Sequence, residues 1–165
     1  KPILYVCNVE EENASNGNAH SAAVDAMATA QGAGAVVISA KIEEEISQLD
    51  GEEAEMFLGE MGLEEAGLDR LIRAGYELLK LETYFTVGPK EARAWTIPAG
   101  TGAPAAAGVI HGDFERGFIR AETIAYDDYI ECQGETKAKE TGKMRAEGKG
   151  YIVKDGDVMH FLFNT

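Results

Sequence analysis

Residues 83–97, Thr83-Tyr84-Phe85-Thr86-Val87-Gly88-Pro89-Lys90-Glu91-Ala92-Arg93-Ala94-Trp95-Thr96-Ile97, decide how the second half of the chain folds. Thr, Tyr, Phe, Val, Trp and Ile crowd its two ends, and these side chains fit a pleated, half-buried surface. Gly88-Pro89 interrupts the middle, where a turn is needed. The stretch therefore predicts strands over 83–87 and 92–97 joined by a turn at 87–90, a β-hairpin. Downstream, Pro104 sits at the start of an apolar run that predicts a helix over 104–110. Residues 118–125 alternate as a strand, and 135–142 form a short charged helix. Residues 151–153 and 158–163 read as strands around the turn Lys154-Asp155-Gly156-Asp157. A hairpin, a helix and further short strands in so few residues predict a compact α+β domain over 81–165.

Upstream the pattern differs. Ile3-Leu4-Tyr5-Val6-Cys7 is a short apolar run ending at Asn8, and Ala35-Val36-Val37-Ile38 is a second one ending at Ser39-Ala40-Lys41. Both read as buried strands. An Ala-rich helix over 21–31 lies between them, stopped by Gly32 and Gly34, so the two strands should pair in parallel across a crossover helix. Residues 42–49 and 50–61 form acidic segments. Leu68, Leu71, Ile72, Tyr76 and Leu79 recur at helical spacing and make 67–80 an amphipathic helix. Residues 1–80 thus read as part of an α/β domain.

The chain has 165 residues with 29 acidic and 15 basic side chains, a formal net charge of −14. Residues 1–80 hold 16 acids and 5 bases, and residues 81–165 hold 13 and 10. A whole-surface grip on duplex nucleic acid is excluded, because phosphate binding needs clustered Lys and Arg. The one basic stretch is 135–149, where Lys137, Lys139, Lys143, Arg145 and Lys149 outnumber Glu135, Glu140 and Glu147. It is either a solvated charged helix or a surface facing RNA. Cys7 and Cys132 form no CxxC pair, and Cys7 reads as a small buried hydrophobe, so a reduced, cytoplasmic setting fits. No apolar run reaches the length of a membrane span. The start at Lys1-Pro2, without Met and directly before a strand, suggests a cut through a longer protein.

The chemistry is legible mainly as a half-motif. A phosphate loop needs spaced glycines, then Lys and Ser or Thr. The nearest match, Gly142-Lys143, is followed by Met144 and has Lys137 in place of the first glycine. No Asp-x-x-Gly follows for magnesium, so this stretch of chain is expected not to hydrolyse a nucleoside triphosphate alone. His111 and Asp113 could offer two metal ligands, but a loop His beside an Asp is usually solvated, and no metal site is expected. His160 reads as a packed or edge residue of its strand. Trp95, Phe85, Phe114, Phe118 and Tyr151 read as core aromatics. Asn8-Val9-Glu10-Glu11 and Ser39-Ala40-Lys41 both lie at carboxyl ends of strands, where α/β sheets bind ligands. The positions resemble the Asn-Lys-x-Asp and Ser-Ala-Lys motifs of guanine-binding switch proteins, although by themselves Asn8 and Glu11 also read simply as polar residues after a strand. Here Val9 replaces Lys and Glu11 replaces Asp, which should relax or invert the preference for guanine.

The run 83–97, with Ala103-Pro104, Ala106-Ala107-Gly108, Ile110-His111, Asp113-Phe114-Glu115, Gly117 to Glu122, Arg145, Glu147-Gly148-Lys149, Tyr151-Ile152-Val153, Asp155-Gly156-Asp157, Phe161 and Phe163-Asn164, closely resembles the TGS domain of YchF-type Obg-like ATPases. Residues 1–80 resemble the end of that family's nucleotide-binding domain. The resemblance implies a P-loop domain remnant over 1–80 followed by a β-grasp, ubiquitin-like TGS domain over 81–165. It implies that Asn8, Val9 and Glu11 line a base pocket, with Ser39 and Ala40 on its far side. It also implies ATP (or GTP) with Mg2+ as the cofactor of the full-length protein, and ribosomes or RNA as partners. The alternative is a stand-alone RNA-, ribosome- or protein-binding module without nucleotide dependence. Strands that lack sheet neighbours are also expected to promote self-association.

Overall fold

The computed structural model describes residues 1–164. The chain divides into two compact units, one over residues 1–79 and one from Lys80 onward.

In the first unit, β1 (Leu4–Asn8) and β2 (Gly34–Ile38) pair in parallel, from Leu4 opposite Gly34 to Asn8 opposite Ile38. The crossover is α1 (Ala19–Ala30). Its first turn is closed by a capping box: Asn18 accepts from the Ser21 N–H, and the Ser21 hydroxyl accepts from the Asn18 N–H. Such a box satisfies amide donors that a helix start otherwise leaves open. Three helices follow, α2 (Ala40–Ile46), α3 (Gly51–Glu60) and α4 (Gly67–Leu79). A small core of Ala14, Ile42 and Leu63 is ringed by Ile46, Phe57, Leu58 and Met61.

The strands are less buried than their apolar runs predict. Cys7 is half-buried and Val6 is 46% exposed. A two-stranded sheet has two unpaired edges, so a continuous apolar run does not guarantee cover on both faces. The amphipathic helix α4 likewise leaves Leu68, Ile72 and Leu79 exposed.

The second unit is a five-stranded mixed sheet in the order β4-β3-β7-β5-β6, built from β3 (Leu81–Val87), β4 (Ala92–Pro98), β5 (Phe118–Ala125), β6 (Arg145–Glu147) and β7 (Asp157–Phe163). The hairpin pairs from Leu81 opposite Pro98 to Val87 opposite Ala92. β7 runs parallel to β3 and antiparallel to β5. On one face, α5 (Ala103–Ile110) and α6 (Gly112–Arg116) accompany a core that includes Tyr84, Ile97, Ala107, Phe118, Met159 and Phe161. The Tyr84 hydroxyl donates to the Ala106 carbonyl at 2.8 Å inside that core. Side chains alternate across a strand, so Ile124 points to the other face. There it packs with Cys132 and Ala138, beside α7 (Tyr126–Glu131) and α8 (Glu135–Glu140).

Several expectations are corrected. Residues 151–153 are not a strand: Ile152 makes one bridge to Gly102, Tyr151 O accepts from Ala103, and Val153 N donates to Thr101. The proposed partner, β7, is central and already paired on both sides. Phe85 does not join the main core. It faces away from Tyr84 and meets Tyr126 at 5.7 Å between ring centroids. Trp95, Phe114 and Tyr151 are half-buried against the core, and Phe118 lies within it. His160 is neither packed nor at an edge, but exposed on central β7 opposite Glu122. The helices α6 and α7 and the three-residue β6 were not anticipated. Among the described residues, no helix is long and apolar enough to cross a membrane.

Candidate functional site

Parallel pairing brings the ends of β1 and β2 side by side, and the residues after them meet. The Val9 N–H donates to Ile38 O at 2.9 Å, continuing the ladder one step. The Asn8 side-chain oxygen then accepts the Ala40 N–H at 2.9 Å, tying the first loop to the start of α2. Ser39, between them, is 2% exposed, and its hydroxyl has no hydrogen-bond partner within the described residues. A buried hydroxyl without a partner is costly, so this oxygen is suited to a ligand or an ordered water. The Glu11 carboxylate forms an ion pair with Lys41. That hydrogen bond and its charge hold the Lys41 ammonium above its ordinary range.

Asn8, Ser39 and Ala40 are therefore contiguous, and Val9 is fixed through its backbone. Glu11 reaches the same loop pair through Lys41. Two further residues take part. Lys41 reads in the sequence only as the end of a motif. Glu43 lies in an acidic segment whose sequence does not single it out, yet its carboxylate accepts from the Gly67 N–H at 2.7 Å and the Leu68 N–H at 3.0 Å. It caps α4 from α2, and a Cβ at Gly67 would meet Glu43 Oε1 at 2.8 Å and Ile38 at 3.1 Å. Nothing local in the sequence signals a partner 24 residues away.

The basic stretch separates into two kinds of residue. Lys143 Nζ bonds Asp128 at 2.8 Å, and that contact raises its pKa. Arg145 turns inward: Nε bonds Glu147 at 3.0 Å, and Nη2 approaches the Tyr151 hydroxyl at 3.2 Å and Asp157 at 3.5 Å. Asp157, 2% exposed, accepts from the Tyr151 hydroxyl at 2.7 Å and the Lys154 N–H at 3.0 Å. Burial, then the bond to Asp157, pushes Tyr151 up to about 12. Lys137, Lys139 and Lys149 are exposed and make no ion pair among the described residues. His111 Nδ1 accepts from the Asp113 N–H at 3.2 Å and caps α6. Among the described residues, no group of three or more His, Cys, Asp or Glu gathers as a metal site.

The model of the family YchF-GTPase_C, "Protein of unknown function (DUF933)", matches residues 81–164. The ribosome-binding ATPase YchF of Escherichia coli O157:H7 is 58% identical over 165 residues, covering 100% of this chain and 45% of that relative. The protein of the same name from Bacillus subtilis (strain 168) is 55% identical over 167 residues, covering 100% and 46%. The chain thus spans a little under half the length of these relatives. The solved structure of the Schizosaccharomyces pombe YchF GTPase matches with a TM-score of 0.83 and 33% identity, over 98% of this chain and 43% of that one. A GTP binding protein from Pyrococcus horikoshii OT3 shares the fold at a TM-score of 0.65 and 18% identity, over 99% and 46%. The α/β architecture with its mixed sheet is that of these structures.

Proposed function

The chain belongs to the YchF-GTPase_C family, and on that premise we propose that its first unit supplies the base-recognition end of a nucleotide site in a longer, ribosome-associated ATP-binding and -hydrolysing switch protein. The second unit, residues 81–165, is a β-grasp TGS module that docks it. The observation that carries the reading is the Asn8–Ala40 hydrogen bond, which joins the two loops at the carboxyl ends of parallel strands. Ligands of open α/β sheets bind at such ends.

In this reading Asn8 is a positioning residue that holds the Ala40 loop in place. Ser39 offers its buried hydroxyl, and Val9 and Glu11 flank the base. The Glu11 carboxylate is engaged by Lys41, so it is poorly placed to accept two hydrogen bonds from a guanine edge. Adenine, which presents a lone pair rather than a donor at N1, loses nothing by that engagement. ATP is therefore the proposed nucleotide. Its triphosphate and Mg2+ would supply the phosphoryl-transfer chemistry, and no residue of the base site reaches toward that role.

The test is Asn8→Ala in the full-length protein, with ATP affinity measured by titration calorimetry. A loss of about tenfold, roughly 1.4 kcal/mol, is expected. Unchanged affinity would remove Asn8 from the site.

A second reading has its own support. Lys137, Lys139 and Lys149 stand exposed without ion-pair partners among the described residues, which favours a polyanion-docking module that works without nucleotide.

A further inference from the structure

The sheet of the second unit has a second apolar face that its helices cover only in part. A groove of about 320 Å³ runs along it, lined by Phe85 and Val87 of β3, Ala94 of β4, Val158 of β7, and Tyr126 and Ile130 of α7. Its floor is recessed because β4 places Ala92 and Ala94 there, small side chains that are weak strand formers. Its wall is wet apolar surface: Tyr126 is 48% exposed and Ile130 is 56% exposed. Contiguous exposed apolar surface of this kind marks interaction sites.

Two further features define the occupant. β4 is the terminal strand of the sheet, so a backbone edge lies open beside the groove. An extended peptide can add to such an edge and send alternate side chains into adjoining pockets. Two exposed acids, Asp127 and Glu131, follow Tyr126 and Ile130 along α7 just outside the lining; Glu131 also feels the Lys143 ammonium, which pairs with Asp128, whereas Asp127 forms no ion pair among the described residues. Among the groove's lining residues the one cation is Arg93, whose guanidinium is held 4.2 Å over the Trp95 ring. The whole chain carries a formal charge of −14.

We infer that this groove binds an extended basic segment of a protein partner, with large apolar side chains seated between α7 and the β3–β4 hairpin and Lys or Arg side chains facing Asp127 and Glu131. The site is independent of the nucleotide reading, and a failure here leaves the ATP titrations untouched.

The test uses the 165-residue chain, isotopically labelled, and follows backbone amides by NMR. The probes are an eight-residue peptide of alternating arginine and leucine and its glutamate-for-arginine counterpart. The basic peptide is expected to shift amides of β3, β4 and α7 and to bind at least tenfold more tightly than the acidic one. Ile130→Asp and Ala94→Trp, both at exposed positions, should each weaken it about tenfold without altering the remaining spectrum. Equal response to both peptides, no response, or binding unchanged by both variants overturns the proposal. Shifts of the same amides by an adenine octaribonucleotide reassign the groove to nucleic acid. Shifts of these same β3, β4 and α7 amides on raising protein concentration alone reassign it to a second copy. Loss of peptide binding in the full-length protein, with binding kept in this chain, reassigns it to an internal segment.

Discussion

Asp157 is almost fully buried, and its carboxylate is satisfied by the Tyr151 hydroxyl, the Lys154 amide and the Arg145 guanidinium. Burial of Tyr151, then its bond to Asp157, ties its titration to folding. Folded Tyr151 loses its proton at about 12, against an ordinary 10.0. The folded state therefore holds this proton more tightly than the unfolded chain. Its contribution is fully present below the unfolded value, and stability falls as pH rises from about 10 to about 12. Buried Tyr84 is shifted the same way by desolvation. Tyr151→Phe should make urea-unfolding stability less steep in pH across that window, without abolishing the slope. An unchanged slope would mean that Tyr151 titrates alike in both states. Residues of this kind were only partly legible beforehand. Asn8, Ser39 and Ala40 could be read because each follows a short apolar run, and parallel pairing brings such ends together. The inward turn of Arg145 could not be read, since its acceptors Glu147 and Asp157 look in sequence like any other surface acids.

At the scale of elements, the hairpin of β3 and β4 was legible because Gly88-Pro89 breaks two runs of strand-forming side chains. α4 was legible from its 3.6-residue period, though the period says only which residues share a face, not whether anything covers it. β7 shows the opposite case. Its pairing with β3 and β5 is long-range, while the nearby run Tyr151-Ile152-Val153 has equal strand propensity and spends its backbone bonds on the loop at 101–103. Propensity could not choose between them. The basic stretch also divides by element. Lys137 and Lys139 lie on the exposed side of α8, whereas Arg145 belongs to β6 and is knitted into the sheet. Charge reversal of Lys137, Lys139 and Lys149 together is expected to weaken ribosome co-sedimentation at low salt and to flatten its salt dependence, leaving the melting temperature within a few degrees. Arg145→Glu should instead lower stability by roughly 1.5–3 kcal/mol, because it removes one of the three partners of the buried Asp157 carboxylate and sets a second acid beside it. Ribosome binding indifferent to the triple reversal would take those lysines out of any docking surface.

Over the whole chain, the two units carry separate cores of unequal size. Ten buried residues form the main cluster of the second unit, and three form that of the first. The first unit also exposes Ile3, Val6, Leu68, Ile72 and Leu79, and both strands of its sheet have an open edge. Open edges template pairing with other chains. Light scattering of the 165-residue chain should therefore show a mass that rises with concentration, and a constant monomer mass would contradict this. The same unit carries the proposed base site. Its most direct test is the ratio of ATP to GTP affinity in the full-length protein, measured beside Glu11→Asp. ATP is expected to bind more tightly in the unaltered protein, and the preference to shift toward GTP when the shorter carboxylate is installed. Tighter GTP binding, unmoved by Glu11→Asp, would contradict this.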